Sequence, residues 1–262
     1  MNNQNISVLV TSGGTSEEID DVRRISNTST GSLGAQIADA FINQNENINL
    51  LYLCSEKAAR PKSEKVDTKI ITGVLSLKTA VEEECAKMKF DIIIHCMAVS
   101  DYMVKTVTDS ELMTENVLER IGNTICGDSS SPYEAIKDGI ENAPTISSSK
   151  ISSDKENLII ILEKAPKVIA LLRGLANDAV IVGFKLLSNV SEEELIDVGH
   201  TLLKKNDCDF VLANDMKTVK TGEHVGFLID RNKEFEKAEG KEKIAEVIAE
   251  KTLMQLSPKG QN

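Results

Sequence analysis

Short runs of apolar residues alternate along the chain with stretches in which apolar residues recur every three or four positions. The short runs are rich in Ile, Val and Leu, which is typical of strands buried on both faces of a parallel sheet. The longer stretches are typical of amphipathic helices. The predicted strands are Ile6–Val10, Ile48–Cys54, Thr68–Ile71, Asp91–Cys96, Leu158–Leu162, Val180–Phe184, Phe210–Ala213 and Val225–Ile229. The predicted helices are Leu33–Asn43, Val74–Met88, Pro166–Leu172, Glu192–Lys205 and Lys241–Leu256.

This alternation predicts an α/β fold: a Rossmann-like, doubly wound, mostly parallel sheet with flanking helices. The pattern breaks from Met103 to Ser149, where serines, glycines, prolines and acidic residues accumulate. One or two helices are expected there, near Ser110–Arg120 and Tyr133–Ile140. Long segments of this kind are often mobile lids over binding sites, but a disordered surface segment without a function would show the same composition. We expect a single domain over residues 1–262 with a flexible, lid-like insertion at about 103–149.

Composition excludes several classes of partner. The net charge of −11 argues against general nucleic-acid binding, which needs clustered Lys and Arg, although a local cationic pocket can still bind a small anion. The five cysteines are odd in number and form no CxxC pair, which predicts reduced thiols. No basic leader precedes the first strand, and no apolar stretch is long enough to span a membrane. We expect a cytoplasmic protein that contacts neither nucleic acid nor membrane.

Two polar, glycine-bearing segments are candidate phosphate-binding loops. In Val10–Thr15, with the sequence VTSGGT, two glycines follow a strand and let backbone N–H groups approach an anion without a Cβ in the way. Ordinary turn glycines would give the same pattern. The segment ISNTSTG, Ile25–Gly31, places hydroxyl and amide groups before a helix, whose N-terminus attracts anions. N-capping by Ser29 or Thr30 would explain that segment without a ligand.

Later strand ends also carry residues suited to a phosphorylated ligand. Asp101 follows the fourth apolar run, and ligands of open α/β sheets bind beyond the carboxyl ends of strands. A carboxylate there can hold ribose hydroxyls or a metal, or it can simply cap a turn. Lys150 begins the stretch KIS, KAPK leads into the helix predicted from Pro166, and Lys185 ends the strand in GFKL. Their convergence is a stronger signal than any one of them.

Taken in order, these segments resemble one enzyme family. VTSGGT, RISN-x-S-x-G, AVSDY and VLAND, with KIS, EKAPK, GFKL and GFLIDRNK, resemble phosphopantothenate–cysteine ligase, also called phosphopantothenoylcysteine synthetase, in its stand-alone bacterial form. The resemblance runs from about Ile6 to Leu256.

The resemblance implies a ligase of coenzyme A biosynthesis that joins 4′-phosphopantothenate to L-cysteine. A nucleoside triphosphate, CTP or ATP, would act with Mg²⁺ to activate the carboxylate as an acyl-nucleotide. With CTP this is an acyl-cytidylate, and CMP and pyrophosphate are released. The resemblance also implies a homodimer in which the ISN segment reaches the neighbour's site. In many bacterial relatives this domain is fused behind a flavin-dependent decarboxylase, and this sequence lacks that part. We therefore expect a separate decarboxylase as partner enzyme in the pathway.

The resemblance assigns roles residue by residue. Asn27 matches an asparagine that handles the acyl-nucleotide in the second step, and Lys150 matches a lysine needed to form the intermediate. The predicted nucleotide-binding residues are Gly13, Gly14, Met97, Ala98, Asp101, Lys150, Pro166, Lys167, Val168, Ile169, Phe184 and Lys185. The predicted substrate-binding residues are Asn27, Ser29 and Gly31. Metal ligands and roles for Lys204 and Lys205 stay open.

Two other function classes compete with the ligase. An NAD(P)-dependent reductase would share the sheet and the glycine turn, but the first strand is not followed by GxGxxG, and the chain offers no plausible Tyr-x-x-x-Lys pair. A non-catalytic binding module that kept the fold would tolerate loss of Asn27 and Lys150. A change in NADPH fluorescence would favour the reductase, and absence of turnover would favour the binding module.

Overall fold

A computed structural model gives the structure of residues 5–45, 47–126, 131–146, 150–152 and 154–256. Its strands are β1 (Ile6–Ser12), β2 (Ser16–Glu18), β3 (Arg24–Ser26), β4 (Ile48–Ser55), β5 (Val66–Ile71), β6 (Ile92–His95), β7 (Tyr102–Asp109), β8 (Leu158–Lys164), β9 (Val180–Leu187), β10 (Phe210–Asp215), β11 (Val225–Asp230) and β12 (Phe235–Glu239). Its helices are α1 (Ser32–Gln44), α2 (Val74–Lys87), α3 (Ser110–Cys126), α4 (Pro132–Glu141), α5 (Ile169–Leu175), α6 (Glu192–Asn206), α7 (Met216–Thr221) and α8 (Lys241–Leu256).

The chain divides into two compact units by its internal contacts. Unit 1 comprises Met1–Thr15, Asn27–Val99 and Lys167–Asn262. Unit 2 comprises Ser16–Ser26 and Ser100–Pro166. The sequence pattern suggested one domain with an insertion at about 103–149, and unit 2 contains that whole segment together with a short piece from the N-terminal part of the chain.

Unit 1 is built on an eight-stranded sheet in the order β12-β11-β10-β9-β6-β1-β4-β5. The strands from β10 to β5 pair in parallel, and β11 and β12 add an antiparallel edge. Renumbered by their order in the chain, the parallel strands from β5 to β10 run 3-2-1-4-5-6, the order of a dinucleotide-binding Rossmann sheet. The predicted fold class is confirmed, and the reversal of strand order lies between β1 and β6.

Aliphatic side chains form the core of unit 1. Val8, Leu9 and Val10 of β1 and Ile92–Ile94 of β6 are 0% exposed, as expected for central strands covered on both faces. Each such side chain contributes about 1.5–3 kcal/mol by leaving water. Helices α1 and α8 pack together over one face of the sheet. This packing makes the carboxyl edge of the sheet a rigid support for the loops that follow the strands.

Unit 2 contains two antiparallel ribbons, β2–β3 and β7–β8, and the packed helices α3 and α4. The helices predicted near Ser110–Arg120 and Tyr133–Ile140 are confirmed as α3 and α4. A capping box formed by Ser131 and Glu134 begins α4. Residues 127–130 and 147–149 of the predicted insertion lie outside the described residues. Among the helices described, none combines the length and the hydropathy that a membrane span needs.

Two sequence predictions need correction. The predicted strand Leu158–Leu162 exists as β8, but it pairs antiparallel with β7 instead of joining the parallel sheet, because its half-buried aliphatic residues need cover on one face only. The helix predicted from Pro166 begins at Ile169. Its first turn is a tight one, in which Ala170 N–H donates to Lys167 O and Leu171 N–H donates to Val168 O.

Candidate active site

The carboxyl ends of three neighbouring parallel strands of unit 1 carry predicted nucleotide-binding residues. β1 is followed by Gly13–Gly14, β6 is followed by Met97–Ala98, and β9 carries Phe184–Lys185 near its end. These strands are adjacent in the order β9-β6-β1 and run parallel, so their carboxyl ends lie along one edge of the sheet. This edge contains the reversal of strand order at which open α/β sheets bind ligands.

The glycines after β1 fix the close approach of two loops. Gly13 has a φ of 88°, a left-handed conformation that favours glycine. Its carbonyl accepts a hydrogen bond from Ala98 N–H at 2.8 Å, and Thr15 N–H donates to Ala98 O at 3.1 Å. The parallel bridge between Gly14 and Ala98 therefore continues the pairing of β1 with β6 beyond the strands. The predicted nucleotide-binding backbone is held in one arrangement.

We expect Gly14→Ala to destabilise the protein by about 1–3 kcal/mol, because an added Cβ would overlap the carbonyl oxygen of Asn27 while the bridge to Ala98 prevents relief. The matched control is Gly174→Ala in α5, where a Cβ has nothing within 4 Å. That substitution should stabilise the protein by about 0.4–1 kcal/mol by restricting the unfolded chain. Urea unfolding measures both changes, and equal effects at the two sites would contradict the prediction.

The segment Asn27–Gly31 forms a compact loop before α1. Ser29 N–H donates to Asn27 O at 3.0 Å, and Ser12 Oγ–H donates to Gly31 O at 3.0 Å. Gly31 is the N-cap of α1 and is left-handed at a φ of 70°, so the N-cap residue offers no side-chain bond, and Ser32 N–H donates to Thr30 Oγ1 at 3.4 Å. The ammonium group of Lys241 donates to Ser32 Oγ at 2.7 Å. A positive charge thus lies beside the positive end of the α1 dipole, an arrangement that favours an anion.

The side chain of Asn27 connects this loop to the strand ends. Its Nδ2 donates to Ala98 O at 3.1 Å, and its backbone N–H donates to Thr15 O at 3.1 Å. Asn27, predicted for the acyl-nucleotide, and Ala98, predicted for the nucleotide, are therefore in direct contact. The structure brings Gly13, Gly14, Asn27, Met97 and Ala98 together.

A buried histidine supports the end of β6. The ring of His95 is 6% exposed, and its Nδ1 lies 3.0 Å from Thr11 Oγ1, which accepts a 3.4 Å contact from Met97 N–H. Burial lowers the pKa of His95 to about 4, so the ring is neutral at neutral pH. Burial also raises the pKa of Cys96 to about 12, which keeps this thiol protonated and argues against a thiolate nucleophile beside the site.

The start of α5 lies close to β9. A Cβ on Gly183 would come 3.0 Å from Ile169 Cδ1, so the glycine permits this close packing. Val168 is 1% exposed and anchors the turn, whereas the Lys167 side chain faces solvent. Phe184 and Lys185 are half-buried on β9. The predicted residues Lys167, Val168, Ile169, Phe184 and Lys185 all belong to unit 1.

Three of the predicted residues belong to unit 2: Asp101, Lys150 and Pro166. Asp101 precedes β7 and is exposed, and its carbonyl accepts a hydrogen bond from Ala165 N–H at 3.0 Å, next to Pro166. Lys150 is exposed and is followed by Ile151, which is 4% exposed. The backbone of Ile151 is bound by Asp20 and Arg23 of the same unit.

Sequence reasoning missed Asp20, Thr11 and Lys241. Asp20 and Arg23 have the three-residue spacing of a local ion pair, which was the available signal. Thr11 and Lys241 carry no local signal, because their partners lie far along the chain.

A family model matches most of the chain. The model described as DNA/pantothenate metabolism flavoprotein C-terminal domain, DFP, matches residues 3–120 and 142–256. The coenzyme A biosynthesis bifunctional protein CoaBC of Methanocaldococcus jannaschii is 31% identical over 246 residues, which are 93% of this chain and 49% of that protein. The chain spans about half the length of the curated relatives it matches.

Solved structures share the fold. The DNA/pantothenate metabolism flavoprotein from Streptococcus pneumoniae has a TM-score of 0.76 and 31% identity, covering 95% of this chain and 99% of that one. A Cab2 mutant in complex with phosphopantothenate-cysteine has a TM-score of 0.65 and 19% identity, covering 96% of this chain and 86% of that one. The second similarity shows the fold alone.

Proposed function

Because the chain belongs to the family of the DNA/pantothenate metabolism flavoprotein C-terminal domain, we propose that it is a phosphopantothenate–cysteine ligase of coenzyme A biosynthesis. The observation that carries this proposal is the family match, whose two ranges, 3–120 and 142–256, include every residue predicted to bind nucleotide or substrate. The identity of 31% to a coenzyme A biosynthesis bifunctional protein points to the same pathway. The Cab2 mutant, which shares the fold, was solved in complex with phosphopantothenate-cysteine, and this compound is the product that we propose for the reaction.

The reaction needs activation because a carboxylate does not react with an amine at neutral pH. In the proposed mechanism the carboxylate of 4′-phosphopantothenate attacks the α-phosphorus of CTP, and pyrophosphate leaves. The amine of L-cysteine then attacks the acyl carbon of the acyl-cytidylate, loses a proton, and displaces CMP. Both steps concentrate negative charge, so fixed N–H dipoles and cations are the main means of stabilising the transition states.

The residues of unit 1 suit this task. The α1 N-terminus, Lys241 and the loop after β1 offer N–H groups and a cation to a phosphate. The amide of Asn27 is fixed by Ala98 O, so it can hold the acyl group of the intermediate in one orientation. In unit 2, Lys150 supplies a cation for the phosphate chain during the first step.

We include three finer points in the proposal: CTP as the preferred nucleotide, the acyl-cytidylate as the intermediate, and a homodimer as the active form.

Mg²⁺ fits as an ion carried by the nucleotide, because it usually binds through substrate phosphates, waters and one or two carboxylates. In the described part of the chain no group of three or more His, Cys, Asp or Glu residues could hold a metal ion. Asp101 is the one carboxylate among the predicted nucleotide-binding residues, and bound Mg²⁺ would neutralise phosphate charge.

The proposal is tested by pyrophosphate release with CTP, Mg²⁺ and 4′-phosphopantothenate, with and without L-cysteine, and again with ATP. We expect sustained turnover only with cysteine, CMP as the released nucleotide, and a slower rate with ATP. Faster release with ATP would change the nucleotide and keep the reaction. Folded protein that releases no pyrophosphate with either nucleotide would overturn the ligase and favour a binding module.

A further inference from the structure

In unit 2, two side chains from the N-terminal part of the chain hold both backbone polar groups of Ile151. Asp20 Oδ2 accepts from Ile151 N–H at 3.2 Å, and Arg23 Nη2 donates to Ile151 O at 3.1 Å. The same guanidinium binds Asp20 Oδ2 through Nε, at 3.0 Å, and through Nη2. The aspartate, the arginine and one peptide segment thus form a closed hydrogen-bonded ring across 128 to 131 positions of sequence.

This ion pair is buried on its acidic side. The Asp20 side chain is 0% exposed and the Arg23 side chain is 45% exposed. Asp20 Oδ1 also accepts from Val22 N–H at 3.0 Å and Arg23 N–H at 2.8 Å, so both carboxylate oxygens are fully used. The Arg23 guanidinium holds the pKa of this carboxyl well below its usual range. The carboxylate is therefore charged, and the pair persists, at every pH at which an enzyme of this kind works.

The position of the ring in the chain suggests a role beyond stability. Ile151 is 4% exposed and directly follows the exposed Lys150. A lysine on an irregular segment loses backbone and side-chain conformational freedom when its ammonium group binds a phosphate. Because the next residue is held at its N–H, its C=O and its buried side chain, most of the backbone freedom is already lost before the ligand binds. Such prior positioning is a large source of catalytic rate.

We propose that Asp20 and Arg23 are positioning residues for Lys150, acting through the backbone of Ile151 to hold the lysine where the acyl-nucleotide forms. This inference rests on the proposed function. It concerns the geometry of the lysine and assigns neither Asp20 nor Arg23 a contact with the substrates.

The test compares Arg23→Lys and Asp20→Asn with a matched control. Arg23→Lys keeps the charge, but a single ammonium cannot reproduce the planar fork that binds both Asp20 and Ile151 O. The control is Arg120→Lys, which alters an exposed arginine–aspartate pair of the same unit, Arg120 with Asp138 at 2.9 Å. The first readout is hydrogen exchange at the Ile151 amide. The second is kcat and KM for pyrophosphate release, measured in the wild-type background and in a Lys150→Gln background.

We expect exchange at Ile151 to accelerate at least about 10-fold in both ring variants, because the protecting bond opens. Arg23→Lys should lower kcat by about 10–100-fold with little change in the KM for nucleotide, since misplacing one group has effects of this size. In the Lys150→Gln background the same substitution should change kcat by less than about twofold, because residues that act as a unit are non-additive. Arg120→Lys should change none of these quantities.

Three outcomes would overturn the inference. The first is fast hydrogen exchange at Ile151 in the ring variants with unchanged kcat, although Lys150→Gln abolishes activity. The ring would then stabilise the structure without positioning Lys150. The second is an equal loss in both backgrounds, which would give Arg23 a role of its own. The third is a Lys150→Gln variant with full activity, which leaves no lysine function to support; this outcome refutes the assigned role of Lys150, and exchange at Ile151 then reports on the ring independently. If Asp20→Asn fails to fold, Arg23→Lys alone carries the test.

Discussion

Lys150→Gln is expected to lower the rate of acyl-nucleotide formation by about 10²–10³-fold, the usual loss when one charge-stabilising contact to a transition state is removed. Glutamine keeps much of the length of the side chain and lacks the positive charge that the phosphate chain requires. Because Lys150 is exposed, the free energy of unfolding should change by less than about 0.5 kcal/mol. The measurement is pyrophosphate release in the first turnover without cysteine, together with urea unfolding.

The matched control is Lys137→Gln on α4, which removes an exposed lysine of the same unit from an i,i+4 pair with Glu141. Such pairs contribute about 0.3–0.5 kcal/mol to stability, and this one has no predicted part in the reaction. We expect the control to retain the wild-type rate. Equal rates for the Lys150 and Lys137 variants would refute the assignment of Lys150 and, with it, the inference about Asp20 and Arg23.

The parallel sheet was predictable because strands buried on both faces must be almost entirely apolar. Every strand predicted from such a run exists, with ends that differ by a few residues. The ribbon formed by β2 and β3 was missed because its sequences, SEE and RIS, carry no apolar alternation. It forms through pairing and a 2.7 Å contact between Ser16 Oγ and Ser26 Oγ, which are ten positions apart. Polar, exposed strands depend on their partners, and a local pattern does not show partners.

The same limit separates the predicted part of the site from the missed part. Glycine loops after strands give a local signal, and the structure places Gly13–Gly14 and Ala98 in direct contact. The ring of Asp20 around Ile151 and the bond from Lys241 to Ser32 connect segments that are 131 and 209 positions apart. Only the fold brings such groups together. Residues that position others are therefore harder to find by sequence than residues that bind a ligand through a loop motif.

Asn27→Asp is expected to slow the attack of cysteine on the acyl-nucleotide by about 10²-fold, the lower end of the loss on removing a donor from such a site. The native amide donates from Nδ2 to Ala98 O at 3.1 Å, and an ionised carboxylate would place a second acceptor against that carbonyl. The unpaired acceptors should also destabilise the protein by about 1–3 kcal/mol. The added negative charge opposes the charge that develops on the acyl oxygen.

The pH dependence of this variant provides a specific test. Repulsion from Ala98 O favours the neutral acid, which raises the pKa of the new carboxyl above that of a free aspartate. The penalty is therefore present above that raised pKa and decreases as the pH falls through it, because the protonated acid can again donate to Ala98 O. We expect the ratio of variant to wild-type rate in the cysteine step to rise on acidification. The control, Asn49→Asp at an exposed position of β4, should show a ratio near unity at every pH. A ratio for Asn27→Asp that does not change with pH would contradict the hydrogen bond to Ala98 as the cause, and pyrophosphate release without cysteine shows whether the defect is confined to the second step.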